Sequence, residues 1–319
     1  MKKTLLALSV MFAATSAQAI ELYNQDGVTV DLKGDVEVRY VAEIEKDNEL
    51  KQEIDDADFG IDTRYQVNDD LQVGAYFELS LDDGDRASDD AGVGNIYVGF
   101  YTTNYGSLKI GKLDTQLDDA GIGSDHIFGV SSFFDNADVG GDEAIRYDYD
   151  QGMFYAGFGV IQDKYDSDDY GKDGGLFDAK VGVRFSDFDL TAFYGTIELN
   201  NVVAPRDETL MALEVRYAGV ENLNLEAAYY NTEKDVKAGS KSDSDTFAIA
   251  ADYSFTNGFS VAGGVSNTDH SAAAAEDYTQ WFANVGYGLA PNTTVYAEIG
   301  DNDLKDTDMG YGVGIKSTF

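Results

Sequence analysis

The residues best suited to chemistry are the carboxylates of one long acidic segment, residues 113–143. They are Asp114, Asp118, Asp119, Asp125, Asp135 and Asp138. Carboxylates grouped in this way attract cations, whether small solutes or metal ions. A segment of roughly 30 residues without a strand or helix pattern is unusual and is normally functional. We therefore take 113–143 as the first candidate for a functional segment.

Other kinds of reactive site have little support. His126 and His270 are the only histidines, and neither has a second histidine at the spacing of a metal site. The chain has no cysteine, which excludes thiolate metal sites and disulfides. Serine, histidine and aspartate all occur, but nothing in their spacing brings them together for hydrolysis. We expect no metal, no cofactor and no enzymatic activity.

The whole chain is strongly acidic. It contains 22 Lys+Arg and 59 Asp+Glu, which gives a formal net charge of −37. Such a surface repels the phosphates of nucleic acids, so these are excluded as partners. Acidic chains are often disordered, but 43% hydrophobic and 13% aromatic residues argue against disorder here. The composition favours a folded protein that attracts cations.

Residues 1–19 have the features of a signal peptide. Two lysines precede the apolar run 5–14, and residues 17–19 form an A-x-A cleavage site. We expect cleavage near Ala19 and a mature domain at 20–319. No later apolar stretch approaches the ~20 residues of a transmembrane helix.

The elements that must position the acidic segment are β-strands, because most of the chain after Gly27 alternates with a period of two. In residues 28–40, apolar side chains alternate with polar or charged ones. On a strand these two sets point to opposite faces. The predicted strands lie near 28–43, 54–67, 71–81, 94–101, 107–112, 144–149, 153–161, 176–185, 188–198, 209–217, 223–230, 246–255, 259–266, 278–287, 293–300 and 309–319.

The connections alternate in length. Tight turns rich in Asn, Asp and Gly lie at 68–70, 150–152, 186–187 and 256–258. Longer acidic connections are expected at 82–93, 162–175, 231–245 and 267–277. Short turns at one end and long loops at the other are typical of outer-membrane barrels, with the turns on the periplasmic side.

A soluble β-sandwich also alternates, but two observations favour a closed membrane barrel. Sixteen strands in an open sheet would leave exposed edges, which closure removes. The central apolar face carries no charged residue, and a basic one at the bilayer midplane would cost about 2–4 kcal/mol. Aromatic residues lie at the ends of this face, as in interfacial girdles: Tyr40, Tyr65, Phe185, Phe188, Phe255, Phe259, Tyr287 and Phe319.

The opposite face is crowded with charge: Asp178, Lys180, Arg184, Glu214, Arg216, Asp252 and Glu298. Burying an isolated charge costs several kcal/mol, so we expect this face to be wet. Sixteen strands enclose an aqueous channel, whereas eight enclose little more than side chains. The sequence thus predicts an all-β, transmembrane antiparallel β-barrel of about 16 strands around a water-filled lumen.

Several segments resemble enterobacterial general diffusion porins. Residues 20–34 resemble the opening of their mature chains, and 106–112 resemble their fifth strand. Residues 144–148 are similar to the sixth-strand pattern of the wider porin family. The C-terminal strand is similar to the signal read by the outer-membrane assembly machinery, although Ser317 stands where an aromatic is commoner. The residues of this signal are Tyr311, Val313, Ile315 and Phe319.

This resemblance implies a homotrimer of barrels in the Gram-negative outer membrane. It also implies that the third extracellular loop, here 113–143, folds into the lumen as the constriction, with its carboxylates facing basic residues of the wall. The candidate wall residues are Arg39, Asp58, Arg64, Lys112 and Arg146. Apart from this resemblance, the acidic outer loops 166–169 and 301–306 could contact lipopolysaccharide through bridging divalent cations, or could be solvated loops without a partner.

Two departures from the family shape the functional expectation. Asp58 stands where these porins tend to have an arginine, and the loop lacks their Pro-Glu-Phe-Gly-Gly motif, which 140–142 echo only in part. We therefore expect a cation-preferring channel for small hydrophilic solutes. Each loop acid could instead be a solvated charge without effect on conduction. A sugar-specific channel of the same barrel type is the alternative, served by inward tyrosines: Tyr76, Tyr97, Tyr101, Tyr155, Tyr230 and Tyr296.

Overall fold

The computed structural model describes residues 19–82, 87–132, 139–165, 170–200, 202–273 and 275–319. Residues 1–18 of the predicted signal peptide lie outside this part of the chain. The strands are β1 (Ile20–Gln25), β2 (Val28–Ala42), β3 (Lys51–Asn68), β4 (Leu71–Asp82), β5 (Ala87–Thr102), β6 (Gly106–Asp114), β7 (Gly140–Asp150), β8 (Phe154–Gln162), β9 (Gly175–Phe185), β10 (Phe188–Leu199), β11 (Arg206–Val220), β12 (Leu223–Val236), β13 (Lys241–Ser254), β14 (Phe259–His270), β15 (Tyr278–Ala290), β16 (Thr293–Asn302) and β17 (Gly310–Thr318). None of the helices in the described residues is long and apolar enough to cross a membrane.

Sixteen of these strands form one closed antiparallel barrel. Each strand from β2 to β17 pairs with its neighbour in sequence, and β17 pairs back onto β2. The predicted fold class is therefore confirmed, with one strand more than expected. Closure leaves no open sheet edge, which a chain in hydrocarbon requires because water is not there to satisfy unpaired N–H and C=O groups.

The additional strand, β1, completes the seam where the two ends of the chain meet. It pairs with the first half of β2, so that Ile20 lies opposite Leu32, while β17 pairs with the second half. Between them, Gly34 and Phe319 exchange two backbone hydrogen bonds of 2.8 Å. Sequence periodicity missed β1 because it has only six residues and is followed at once by a turn.

The outer face of the barrel is apolar at its centre and aromatic near the short turns. Ile249 and Val181 are each 59% exposed, as expected for side chains that face lipid. Ring contacts join Phe188 to Phe185 and Tyr217, with centroids 5.7 and 4.7 Å apart. This arrangement matches the interfacial girdle of membrane barrels.

Two of the connections predicted to be long are largely strand. β4 extends to Asp82 and β5 begins at Ala87, while β12 and β13 leave only residues 237–240 between them. The predicted loops 82–93 and 231–245 were therefore wrong. Beyond the bilayer both faces of a hairpin meet water, so polar residues on both faces hide the alternation. Cross-strand ion pairs such as Lys241–Glu233, at 2.5 Å, bind the strands together there.

The seam makes Gly34 a sensitive position. A Cβ atom built at Gly34 would lie 1.9 Å from the backbone oxygen of Asp58, so Gly34→Ala must force the strands apart. We expect a loss of roughly 1–3 kcal/mol of barrel stability. The measurement is the temperature at which the compact band converts to the unfolded band in SDS gels. Gly288→Ala, whose nearest contact is at 3.9 Å, is the control and should leave that temperature unchanged.

Candidate functional site

The described residues of the connection between β6 and β7 lie inside the barrel, as the family resemblance implied. We call residues 115–139 the inner loop; its described residues are 115–132 and 139. It begins with a single 3₁₀ turn, Gln116–Asp119, and continues without regular structure along the inner wall. Successive contacts take it past β9, β11, β12, β13 and β16.

Apolar side chains fasten the first part of the inner loop to the wall. Leu117 is fully buried, and Ala120 and Ile122 are nearly so. They pack on an apolar patch of the inner wall: Leu176, Phe193, Leu210, Ala212, Ala228 and Ala248. Gly195 leaves space for the loop, since a Cβ there would lie 2.5 Å from Leu117 Cδ1. Removing this apolar area from water favours the docked loop.

Carboxylates of the wall accept hydrogen bonds from the backbone N–H groups of the loop. The pairs are Leu117 N–Asp178 Oδ2 at 2.7 Å, Gly121 N–Glu214 Oε1 at 2.5 Å and Gly123 N–Glu226 Oε2 at 2.6 Å. Ser124 adds a side-chain bond of 3.0 Å to Asp252. A segment without secondary structure has no internal partners for these N–H groups, so the wall supplies them.

Glu298 on β16 is the most heavily used of these acceptors. The N–H groups of His126 and Phe128 lie 2.6 and 2.7 Å from its two carboxylate oxygens, and that of Ile127 lies 3.2 Å away. The Asn284 amide donates to it as well, at 3.1 Å. The His126 ring also stacks on Tyr296, with centroids 4.1 Å apart. One carboxylate thus fixes residues 126–128 of the loop.

These contacts correct part of the expectation about the lumen. Asp178 and Glu214 are completely buried and Glu298 is 2% exposed, although all three were expected to meet water. They tolerate burial because each accepts charge-assisted hydrogen bonds from the loop. Sequence reasoning placed them on the inner face but did not identify them as loop anchors.

The acids of the loop itself divide into different environments. Asp118 and Asp119 follow one another on the 3₁₀ turn and are exposed to the lumen, as is Asp125. Asp119 forms ion pairs with Arg146 and Lys180, whereas Asp118 forms no salt bridge within the described residues. Asp114 ends β6 at the base of the loop. Asp135 and Asp138 lie outside the described residues.

Asp118 has an unusual electrostatic environment. Its side chain is exposed to the lumen, yet its position inside the barrel partly desolvates the carboxylate. This desolvation, together with the neighbouring charges of Asp114 and Asp119, raises the pKa of Asp118 to about 6, and the charge of Arg146 opposes the rise.

Each predicted basic residue of the wall forms an ion pair with at least one carboxylate. Arg39 lies 2.8 Å from Asp55 and 3.1 Å from Glu53. A bulge in β3 leaves Asp55 without a residue opposite it on β2. The Asp55 side chain lies on the inner face, where it forms the ion pair with Arg39. Arg64 pairs with Asp62 at 2.9 Å.

Arg146 is the cation most directly joined to the loop. It pairs with Asp148 at 3.1 Å and with Asp119, and it donates to the carbonyl oxygen of Thr115 at 2.7 Å. Its charge is therefore compensated on both sides. Arg146 links the loop to the wall rather than standing free in the lumen.

Two further wall candidates differ in outcome. Asp58 is half-buried on the inner face of β3, opposite Asp35 and Ser80, as the alternation predicted. Lys112 pairs in register with Ile96, an exposed apolar residue of the outer face, and lies 3.6 Å from Asp142. Residues opposite each other on neighbouring strands share a face of the sheet. The Lys112 side chain therefore lies on the outer face of the barrel, and not on the lumen wall as expected.

The inward tyrosines are engaged by their neighbours. Arg64 lies over the Tyr101 ring at 3.9 Å, and Tyr76 stacks on Tyr97 at 5.3 Å. Arg184 covers Tyr155 at 4.2 Å, and Tyr230 is 1% exposed. Such cation–π and ring contacts occupy the faces that a sugar slide would need.

A family model described as Gram-negative porin matches residues 4–307. Porin-like protein H of Photobacterium profundum is 30% identical over 100% of both chains. The solved OmpT of Vibrio cholerae, as a loop L8 deletion mutant, has a TM-score of 0.81 at 23% identity, covering 92% of this chain and 100% of that one. A trimer form of OmpT has a TM-score of 0.77 at 22% identity, with coverage of 92% and 100%.

Glu298→Gln tests the anchoring of the loop. Glutamine keeps the size of the side chain but has one carbonyl oxygen and no charge, so at least one loop N–H loses a charge-assisted bond of about 1.5–3 kcal/mol. We expect the displaced loop to be populated about tenfold more or higher, seen as added closures in single-channel recordings. Glu226→Gln, whose carboxylate accepts from one loop N–H and from Arg216, is the matched control and should displace the loop less. Unchanged recordings for Glu298→Gln would contradict the anchoring role.

Proposed function

The chain belongs to the Gram-negative porin family, and we propose that it forms a cation-preferring, water-filled channel for passive diffusion of small hydrophilic solutes. The family places the barrel in the Gram-negative outer membrane and indicates a diffusion channel rather than an enzyme. The sign of the pore and the range of solutes are the proposed part.

The observation that carries the cation preference is the unequal pairing of charges at the inner loop. Arg39, Arg64 and Arg146 each have a carboxylate within 3.1 Å. Asp118, in contrast, faces lumen water without a salt bridge among the described residues. A passing ion therefore meets a carboxylate that has no ion-pair partner among the described residues, beside arginines that are already paired. Charged side chains that line a narrow pore set its ion preference.

The β2–β3–β17 wall supports the same sign. Lys316 lies within 3.3 Å of three carboxylates, those of Asp35, Glu37 and Asp56. One lysine cannot neutralise three acids, so this part of the wall retains negative charge. The negative charge retained at this part of the wall should concentrate cations in the lumen.

General diffusion is preferred to the sugar-specific alternative because the inward tyrosines are covered by cations or by other rings. We include homotrimer assembly in the proposal, supported by the solved trimer form of OmpT. The proposal also includes export of the protein by its signal peptide, which is cleaved near Ala19. The acidic outer loops would contact lipopolysaccharide through divalent cations.

Recognition by the assembly machinery would use the last strand. Tyr311, Val313 and Ile315 are each at least 40% exposed on its outer face, while Phe319 packs on Phe59 with ring centroids 5.4 Å apart. This leaves an apolar row available to a partner before the barrel inserts.

The cation preference is tested by reversal potentials in a KCl gradient across a planar bilayer. We expect K⁺ to be favoured over Cl⁻ because the open charges of the lumen are carboxylates. Neutralising Asp118, Asp119 and Asp125 together to asparagine should reduce that preference. Asp187→Asn, in a short turn, is the control and should not alter it. An anion preference of the unmodified channel would refute the proposed sign.

The same recordings should depend on pH. Asp118 is ionised above its pKa of about 6 and becomes neutral as the pH falls through it. The K⁺ preference should therefore decrease between pH 7.5 and pH 5. Asp118→Asn should begin with a lower preference at pH 7.5 and lose less of it on acidification. An equal loss in both proteins would mean that other groups carry the pH dependence.

A further inference from the structure

The connection between β8 and β9 places one of its tyrosines inside the barrel. We call residues 163–174 the tyrosine loop; its described residues are 163–165 and 170–174. Tyr165 in this loop is 85% exposed, whereas Tyr170 is completely buried. Connecting segments lie on protein surfaces as a rule, so complete burial of a large loop side chain needs a specific reason.

The backbone around Tyr170 is held from both sides. The buried Asp163 carboxylate accepts a hydrogen bond of 2.8 Å from the N–H of Gly171, and the carbonyl oxygen of Tyr170 accepts one of 2.6 Å from the N–H of Asn200. Gly174 permits a close approach of the two ends of the loop, since a Cβ there would lie 2.2 Å from the Tyr170 oxygen. These contacts fix the position of the Tyr170 side chain.

The Tyr170 side chain lies where the inner loop leaves the wall and returns to it. We call Thr115 and Val139 the neck of the inner loop, because the N–H and the hydroxyl of Thr115 both donate to the Val139 oxygen, at 2.9 and 2.8 Å. Tyr170 belongs to the same buried apolar cluster as Val139, and its hydroxyl donates to the oxygen of Gly140 at 3.3 Å. The tyrosine loop thus contacts the inner loop at its neck.

We propose that Tyr170 is a positioning residue that holds the neck of the inner loop in place. Thr115 is completely buried and Val139 is 7% exposed, so water does not compete for the two bonds between them. Without the ring, the cavity left in this cluster would loosen the neck. Asp118 and Asp119 follow Thr115 within four residues, so they would move with it.

The inference concerns the position of the inner loop and not the sign of its charge. It rests on the proposed channel, because conduction is its readout. It also differs from the anchoring by Glu298, which holds the loop at residues 126–128, far along the chain from the neck.

The test compares single-channel recordings of the full-length protein and its variants in planar bilayers. Tyr170→Ala removes the ring and should raise the frequency of closures about tenfold or more. Tyr170→Phe keeps the ring and loses only the bond to Gly140, so it should raise that frequency about threefold. The conservative variant should therefore restore most of what alanine loses.

A second measurement separates positioning from folding. It is the temperature at which the compact band converts to the unfolded band in SDS gels. A purely structural role of Tyr170 predicts a lower temperature with unchanged closures, and this result would overturn the inference. If Tyr170→Ala gives no compact band, Asp163→Asn decides, because it keeps the ring but weakens the support of Gly171. It should raise the frequency of closures about threefold.

The matched control is Tyr165→Ala, the same substitution at the exposed tyrosine of the same loop. It should leave the frequency of closures unchanged. Unchanged closures in Tyr170→Ala, or an equal increase in Tyr165→Ala, would each overturn the inference. The unmodified protein separates the two proposals. If it does not conduct, the channel is refuted, whereas a conducting protein whose closures ignore Tyr170 refutes only the positioning role.

Discussion

Satisfaction of backbone hydrogen bonds is the constraint on which the rest of this structure depends. In the bilayer it requires a closed barrel, because an open edge would leave N–H and C=O groups facing hydrocarbon. Inside the lumen the same requirement applies to the inner loop, which has little secondary structure of its own. There the acceptors are side-chain carboxylates of the wall, with Glu298 receiving the N–H groups of residues 126–128.

The carboxylates that make the chain acidic therefore have different roles. Some carboxylates, such as Asp178 and Glu214, are structural and lie beneath the loop. Others, such as Asp62 and Asp148, neutralise cations of the wall. Asp118 represents a third group, which remains open to water and can act on passing ions. The net charge of a porin sequence is thus a poor measure of the charge that its pore presents.

The strands could be predicted because lipid on one side and water on the other impose a period of two over the spanning part of each strand. Where that contrast ends, prediction failed: the hairpin of β12 and β13 rises beyond the bilayer and was taken for a loop. Alternation also placed Arg39, Arg64 and Arg146 on the inner face. The place of Lys112 rested on resemblance to a family motif, and the register of β5 and β6 corrects it.

The loop anchors could not be identified in advance, because alternation reveals which face a residue occupies but not what covers it. Glu214 and Asp252 have the same parity in the sequence, yet Glu214 is completely buried beneath the loop. A possible signal was the apolar inner-wall residues, such as Leu210 and Phe193, which are out of place in a wet lumen. Inward apolar residues near the long loops would indicate where an inner loop docks.

The seam between the first and last strands has a consequence for biogenesis. β2 obtains its second neighbour only from β17 and β1, and the two backbone bonds of Gly34 are made with Phe319, beyond the end of β17. Until the last residues have been synthesised and exported, the nascent sheet has two unpaired edges, which are prone to aggregation. Contacts between the two ends of the chain are also the slowest to form. The barrel can therefore close only once β17 is available to pair with β2.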